Sequence, residues 1–268
     1  MPYAGVNGAS LFYTDAGEGA TVLLIHGWTC DGTDWSWQVP ALAESYRVIV
    51  PDLRGHGRSS IPEDGYTVPR FADDLAELLT ALKATPAVVA GHSLGGAIAV
   101  ALGTRHPEAV RAVVSVDAAY GYDPALEPRV AELVAGVASP EGLEVARQFF
   151  LSSFYPPSSP PNLRVWHSRR LLGNSPHVVA KTFAGLTGGP GSFFYRPAAE
   201  AALAQLSVPL LAFRGGETAI ATSEWERACA KHPASKAIGW PENGHFLHQE
   251  RPADFNAELC SWLAALPA

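Results

Sequence analysis

The chain has 268 residues, enough for one α/β domain with an insertion and for burial of about 75% of the surface its unfolded form exposes. A net charge of −7 gives no electrostatic footprint for nucleic acid or an anionic membrane surface. Residues 1–5 show no basic region leading into an apolar core, and no stretch approaches the roughly 18 apolar residues of a spanning helix, so a cytoplasmic location is expected. Cys30, Cys229 and Cys260 are scattered and odd in number, which argues against a disulfide framework.

In chain order, Asn7-Gly8 between short apolar segments predicts a hairpin turn at the start of a sheet. Residues 21–25, 47–50, 87–90, 112–116, 210–213 and 237–240 are short, apolar and rich in β-branched side chains. Between or after them, residues 35–44, 68–83, 94–105, 223–231 and 252–265 have helical spacing, with apolar positions recurring every three or four residues across 71–79. Strands alternating with helices across short joins predict an α/β fold: a mostly parallel eight-stranded sheet with helices on both faces. The alternation breaks after the sixth strand, where about ninety Pro- and aromatic-rich residues are too many for a structureless loop. Four short helices are expected there, at 127–137, 141–150, 162–172 and 177–186. The expected organisation is a core domain, 1–117 and 207–268, and a helical cap, 118–206.

The run Val88-Val89-Ala90 climbs into Gly91-His92-Ser93-Leu94-Gly95-Gly96, and an Ala-rich helical stretch follows at once. A strand that turns sharply into a helix with serine at its apex is a nucleophile elbow. Glycines two positions before and after Ser93 suit it, because a Cβ there would strike the neighbouring strand or helix. The new helix points unpaired N–H groups at the place where negative charge would develop. His26-Gly27-Trp28 follows the strand at 21–25, and the backbone N–H groups of Trp28 and Leu94 would make an oxyanion hole. His26 reads as a hydrogen-bonder that shapes its own loop, and His56, in the turn-rich run 51–59, as structural too. For a base, Asn243-Gly244-His245-Phe246 follows the last strand, and a loop histidine at a strand's carboxyl end can reach the elbow. His248 belongs to the next helical turn. Metal-ligand spacing, a phosphate loop and a dinucleotide fingerprint are all missing, so neither cofactor nor metal is expected.

Together, His26-Gly27, Asp52 through Gly57, Gly91 through Gly96 and Gly244-His245 resemble the α/β-hydrolase superfamily, over nearly the whole chain outside the insertion. The resemblance implies a nucleophile at Ser93 activated by His245, an acyl-enzyme, and its cleavage by water with the same histidine as base. Serine at the elbow is unlike the dehalogenase and epoxide hydrolase branches, which carry aspartate there. The acid departs from the pattern. Family members commonly place an aspartate three residues after the glycine that ends the seventh strand, and Thr218 stands there. Two substitutes exist: Glu217, one residue early, and Asp117, which ends the sixth strand. Some branches move their acid to that second place, although many members hold a noncatalytic aspartate there. Asp117 is the preferred assignment.

Tyr120, Tyr122, Phe149, Phe150, Phe154, Tyr155, Trp166, Phe193, Phe194 and Tyr195 of the insertion exceed what four small helices need for their own core. An apolar, partly aromatic cleft is expected, with Trp28, Tyr120, Phe154, Trp166 and Phe246 as substrate contacts. Arg164, Arg169 and Arg170 with His167 read as a solvated helix face rather than an anion site, and Cys30 as a loop thiol. The leading functional reading is a serine hydrolase of hydrophobic or aromatic carboxylic esters or lactones, whose partner is a small hydrophobic substrate. A rival keeps the triad but does other chemistry: carbon–carbon hydrolysis, perhydrolysis or cofactor-free oxygenation. A third reading is a ligand receptor of hydrolase ancestry.

Overall fold

Residues 21–25 and 87–90 carry no polar face, which suits strands covered on both sides. The computed structural model describes residues 2–266. A hairpin, β1 (Tyr3–Val6) and β2 (Ala9–Ala16), precedes β3 (Thr21–Ile25), α1 (Val39–Ala43), β4 (Arg47–Pro51), α2 (Val68–Ala81), β5 (Ala87–His92), α3 (Leu94–Arg105) and β6 (Val110–Val116). The insertion holds α4 (Glu127–Val137), α5 (Gly142–Ser153), α6 (Pro161–Leu172), α7 (Pro176–Gly188) and α8 (Arg196–Gln205). The chain then returns through β7 (Leu210–Gly215), α9 (Ala219–Cys229), β8 (Lys236–Trp240), α10 (Leu247–Glu250) and α11 (Pro252–Ala264).

The eight strands form one sheet in the order β1-β2-β4-β3-β5-β6-β7-β8, antiparallel only at β1–β2 and β2–β4. Asn7 and Gly8 close the hairpin with φ of 42° and 77°, the left-handed pair that matches strand twist. Register sets the site. Ile25 pairs Gly91, His92 pairs Val116, and Val116 pairs Phe213, so the carboxyl ends of β3, β5, β6 and β7 lie side by side. Strand side chains alternate between faces. Val22, Leu24, Val88, Ala90 and Val114 pack with Trp35, Phe255 and Leu259, while Leu23, Ile25, Val89 and Val113 pack with α2 and α3.

The structure departs from the sequence-based expectation in two places. The helix expected at 35–44 is a 3-10 turn, Gly32–Trp35, followed by short α1, because Pro40 has no N–H to donate and can only begin a helix. The insertion holds five helices, not four. The fifth, α8, packs on α3 and α9, whereas α4, α5, α6 and α7 pack among themselves. Among the described residues, no helix is long and apolar enough to cross a membrane.

The loop after β4 is tied to α2 by a buried fork. Arg54 Nε and Nη2 donate to Asp74 Oδ2 and Oδ1 at 2.8 and 2.9 Å, and Nη2 also reaches the Asn7 carbonyl. Removing one partner strands the other charge out of water. Asp74→Ala is therefore expected to cost about 3–5 kcal/mol, read from urea midpoints. Lys236→Ala, at the half-exposed pair with Glu258, should cost less than about 1 kcal/mol.

Candidate active site

Ser93 sits where β5 meets α3, with φ 54° and ψ −116°, a region that costs a residue bearing a Cβ of order 1–3 kcal/mol. The turn is tight on every side. A Cβ on Gly91 would lie 1.9 Å from the Gly95 carbonyl oxygen, and one on Gly95 would lie 2.3 Å from that of Ile25. Ser93 N–H donates to the Val116 carbonyl at 2.9 Å, and its carbonyl accepts from Gly96 and Ala119, each at 3.0 Å. The Leu94 N–H, first in α3, and the Trp28 N–H, in the loop after β3, make no hydrogen bond within the described residues. Donors left free beside a strained serine can bind a developing oxyanion.

His245 lies on the loop between β8 and α10. Its Nδ1–H donates to Asp117 Oδ2 at 2.5 Å, and the other oxygen of Asp117 accepts from Gly215 N–H at 3.1 Å. The His245 N–H donates to the Phe154 carbonyl at 3.0 Å, and the Phe154 ring stacks on the imidazole with centroids 4.1 Å apart. An imidazole held at Nδ1 by a carboxylate is fixed in tautomer and direction, leaving Nε2 to exchange a proton. Glu217, by contrast, is exposed on the turn after β7, and no hydrogen bond joins it to His245. His92 supports the same loop, donating from Nε2 to the His245 carbonyl at 2.8 Å, while its buried Nδ1 finds no partner. Burial, then the neighbouring His245 and His248, hold His92 well below the ordinary histidine pKa.

Ser93 and His245 line one cavity of about 620 Å³, with Gly27, Trp28 and Phe246 on the sheet side. Val130 and Leu133 of α4, Phe149 and Phe150 of α5, and Phe183 and Leu186 of α7 supply much of the roof. Trp28 stacks on Phe183 at 4.6 Å and donates from Nε1 to the Val179 carbonyl at 3.0 Å. Of the expected substrate contacts, Trp28, Phe154 and Phe246 therefore face this cavity, and two others do not. Tyr120 is buried, with its hydroxyl spent on Glu226. Trp166 is 50% exposed, stacks on Trp37, and lines a separate cleft. Local position decides both: Trp166 lies on the outer face of α6, and Tyr120, in the loop after β6, turns its hydroxyl back to Ser115 of that strand.

The loop histidines are occupied structurally. His26 accepts from Leu53 N–H at Nε2 and donates from Nδ1 to the Gly27 carbonyl. His56 donates to the Arg54 carbonyl, and burial, then His26, push its pKa down to about 3. The solvated face expected on α6 is corrected. Of its four basic residues only Arg169 is exposed, since His167 is buried, Arg164 packs on Tyr155, and Arg170 is paired with the buried Asp34 and with Asp31. Burial would raise Asp34, yet Arg170, then His167, hold it well below the usual carboxylate range. Burial and Asp34 push the Cys30 thiol up, so it stays protonated. Among the described residues, no group of three His, Cys, Asp or Glu side chains is placed to hold a metal. Sequence reasoning passed over Phe183 and Leu186. The apolar face of α7 was their signal, but which face met the sheet depended on tertiary packing.

A family model described as the alpha/beta hydrolase fold matches residues 20–159. The chain belongs to that family. Among similar solved structures, a thermophilic esterase from Thermogutta terrifontis has a TM-score of 0.83 at 28% identity, over 100% of this chain and 98% of that one. Est816, described as an N-acyl homoserine lactone degrading enzyme, has a TM-score of 0.80 at 27% identity, over 97% and 99%. The non-heme chloroperoxidase CPO-A1 of Kitasatospora aureofaciens is 44% identical over 91 residues, 34% of this chain and 33% of its own. The 2-(acetamidomethylene)succinate hydrolase of Mesorhizobium japonicum is 34% identical over 143 residues, 53% and 51% respectively. These matches span a third to about a half of the curated relatives' lengths.

This alpha/beta hydrolase buries several histidines as neutral rings. Burial first, with neighbouring groups, lowers His248 to about 3 and His167 to about 4, beside His56 and His92. An unfolded chain binds protons at these histidines below about pH 6.5, where the folded chain does not, so stability rises with pH across that window. The urea midpoint is expected to hold above about pH 7.5 and to fall steadily as pH drops from about 6.5 toward 4. His56→Phe removes one of the protons taken up and should flatten that slope; an unchanged slope would show that His56 is not held neutral.

Proposed function

We propose that the protein is a serine hydrolase that cleaves hydrophobic or aromatic carboxylic esters or lactones through an acyl-enzyme. One observation carries this reading: Ser93 shares an apolar cavity with His245, whose Nδ1–H is held by Asp117 at 2.5 Å. In the first half-reaction Ser93 Oγ attacks the substrate carbonyl carbon while His245 Nε2 takes the hydroxyl proton. Charge passes to the carbonyl oxygen, where the N–H groups of Trp28 and Leu94 receive it. The intermediate collapses, the C–O bond to the leaving alcohol breaks, and His245 returns the proton to that oxygen. Water then attacks the acyl-serine, giving a proton to His245, which passes it to Ser93 Oγ as the acyl C–O bond breaks and the acid leaves.

The esterase and lactone-degrading enzyme of similar structure support the ester or lactone class. The lining does too: Phe149, Phe150, Phe154 and Phe183 share the serine's cavity and reward an apolar acyl or aryl group, while the charged side chains Arg129 and Glu132 stand at its exposed edge. The likeness to a non-heme chloroperoxidase favours a second reading of the same site, in which hydrogen peroxide replaces water in the second half-reaction and a peracid leaves.

The acid assignment separates cleanly. Asp117→Asn should lower kcat on a short aryl ester by about 10⁴-fold, Ser93→Ala at least as much, and Glu217→Gln by less than about twofold. Full activity in Asp117→Asn with loss in Glu217→Gln would reverse the assignment. A preference for polar amides over aryl esters would sink the substrate class. Peracid formed from the acid and hydrogen peroxide faster than ester is hydrolysed would favour the second reading.

A further inference from the structure

Three buried polar side chains that the proposed chemistry never touches converge beneath the turn carrying Asp117. Arg214 of β7 is 6% exposed, Tyr120 2% and Glu226 of α9 0%. The guanidinium forks in two directions. Nε and Nη2 donate to Glu226 Oε2 and Oε1 at 2.8 and 3.0 Å, and Nη1 donates to the Ala118 carbonyl at 2.6 Å. The Tyr120 hydroxyl donates to Glu226 Oε1 at 2.6 Å, and Ser115 Oγ lies 3.1 Å from it. The guanidinium carbon sits 5.0 Å from the centroid of the Tyr120 ring. Every arm of the fork is occupied.

Such a lattice is poorly explained by stability alone, because well-packed apolar side chains often serve as well in a buried site. Its place is more informative. The carbonyl that Arg214 grips belongs to the residue after Asp117, and Asp117 itself has φ 42°, a left-handed conformation unfavourable by roughly 1–2 kcal/mol for a side chain with a Cβ. Three further backbone bonds hold that turn: Asp117 N–H to the Phe213 carbonyl at 2.8 Å, Ala119 N–H to the Ser93 carbonyl at 3.0 Å, and Tyr120 N–H to the Ala118 carbonyl itself at 2.9 Å. The Arg214 bond braces the Ala118–Ala119 peptide beside these, and loosening that peptide would let the turn shift, with the Asp117 carboxylate at its start.

We propose that Arg214 is a positioning residue for the reaction: held in place by Glu226 and Tyr120, it braces the Ala118–Ala119 peptide, one residue past Asp117, and so helps aim the Asp117 carboxylate at His245 Nδ1. The proposal rests on the reading of Asp117 as the triad acid. A lysine could keep the charge beside Glu226 but not the fork, because one ammonium cannot span both acceptors in the same plane.

The test measures Arg214→Lys and Tyr120→Phe on a short aryl ester, alone and combined with Asp117→Asn. Arg214→Lys is expected to lose about 100-fold in kcat, the scale of a small misplacement, with KM unchanged within about twofold because none of the three residues lines the cavity. Tyr120→Phe, which removes one hydroxyl and keeps the ring, should lose less in kcat with KM again unchanged, and it carries the test if Arg214→Lys does not fold. In the Asp117→Asn background both losses should shrink to less than about twofold, since no carboxylate remains to be aimed. Wild-type kcat in the folded variants would overturn the proposal, as would an equal loss in both backgrounds, which marks general destabilisation. If Asp117→Asn alone keeps full activity, the acid assignment falls and this proposal with it. An inactive Asp117→Asn beside a fully active Arg214→Lys overturns only the role of Arg214.

Discussion

Everything at the centre of this molecule depends on how closely main chain can approach main chain around Ser93. Strand β5, helix α3 and the end of β3 meet there with no side chain between them, since Gly91 and Gly95 leave no room for one. The strained serine is held by its own backbone groups, bonded to β6 on one side and to the turn after β6 on the other. Those bonds over-determine a conformation that the residue alone would leave. They also fix the turn that carries Asp117 relative to Ser93, because the Ser93 carbonyl is the acceptor for Ala119 N–H. Serine and carboxylate are thus located by one connected set of peptide hydrogen bonds.

The histidine loop is located by a second close approach. A Cβ on Gly215 would lie 2.2 Å from the Gly244 carbonyl oxygen, and Gly216 N–H donates to the Asn243 carbonyl at 2.7 Å. The end of β7 therefore runs directly against the loop bearing His245, with the Asp117 carboxylate reaching across to both. One oxygen takes the Gly215 N–H and the other takes His245. A carboxylate with both oxygens engaged cannot rotate without breaking a bond, which is what the orientation of the imidazole requires. An acid on the turn after β7 would approach from a different direction. Glu217, exposed there, has no comparable pair of partners.

The sheet, its parallel order and the elbow were legible in sequence because each has a local signal: apolar runs of strand length, turn glycines at fixed offsets, and an Asn-Gly hairpin. The choice between Asp117 and Glu217 was legible only as a preference, since both lie at strand ends and only tertiary geometry tells which one reaches Nδ1. The insertion was read least well. Its aromatic residues announce an apolar cleft, but facing depends on helix rotation and loop path: Trp166 of α6 lies outside, Tyr120 in the loop after β6 lies beneath, and Phe183 of α7 lies within. The charges of α6 misled for the same reason. Arg170 has the sequence context of a solvated residue and the structural context of a buried one, because Asp34 arrives from 136 residues away in the chain.

That ion pair decides how the roof over the cavity is attached. Arg170 of α6 grips Asp34, His167 stacks on Phe246 with centroids 3.8 Å apart, and Asn174 donates to the Thr29 carbonyl in the loop after β3. Trp28 of that loop is bonded in turn to Val179 of α7. Lifting α6 and α7 would strand a buried carboxylate, a cost of several kcal/mol, and would disturb the loop that supplies the Trp28 N–H. No such constraint holds α4: among the described residues it forms no hydrogen bond or ion pair to the sheet, and it meets the cavity through Val130 and Leu133, with Arg129 and Glu132 exposed at its edge. Displacing α4 sacrifices apolar contacts alone. The rigid half of the roof keeps the donors in place, and the half without polar ties is where the cavity opens at least cost.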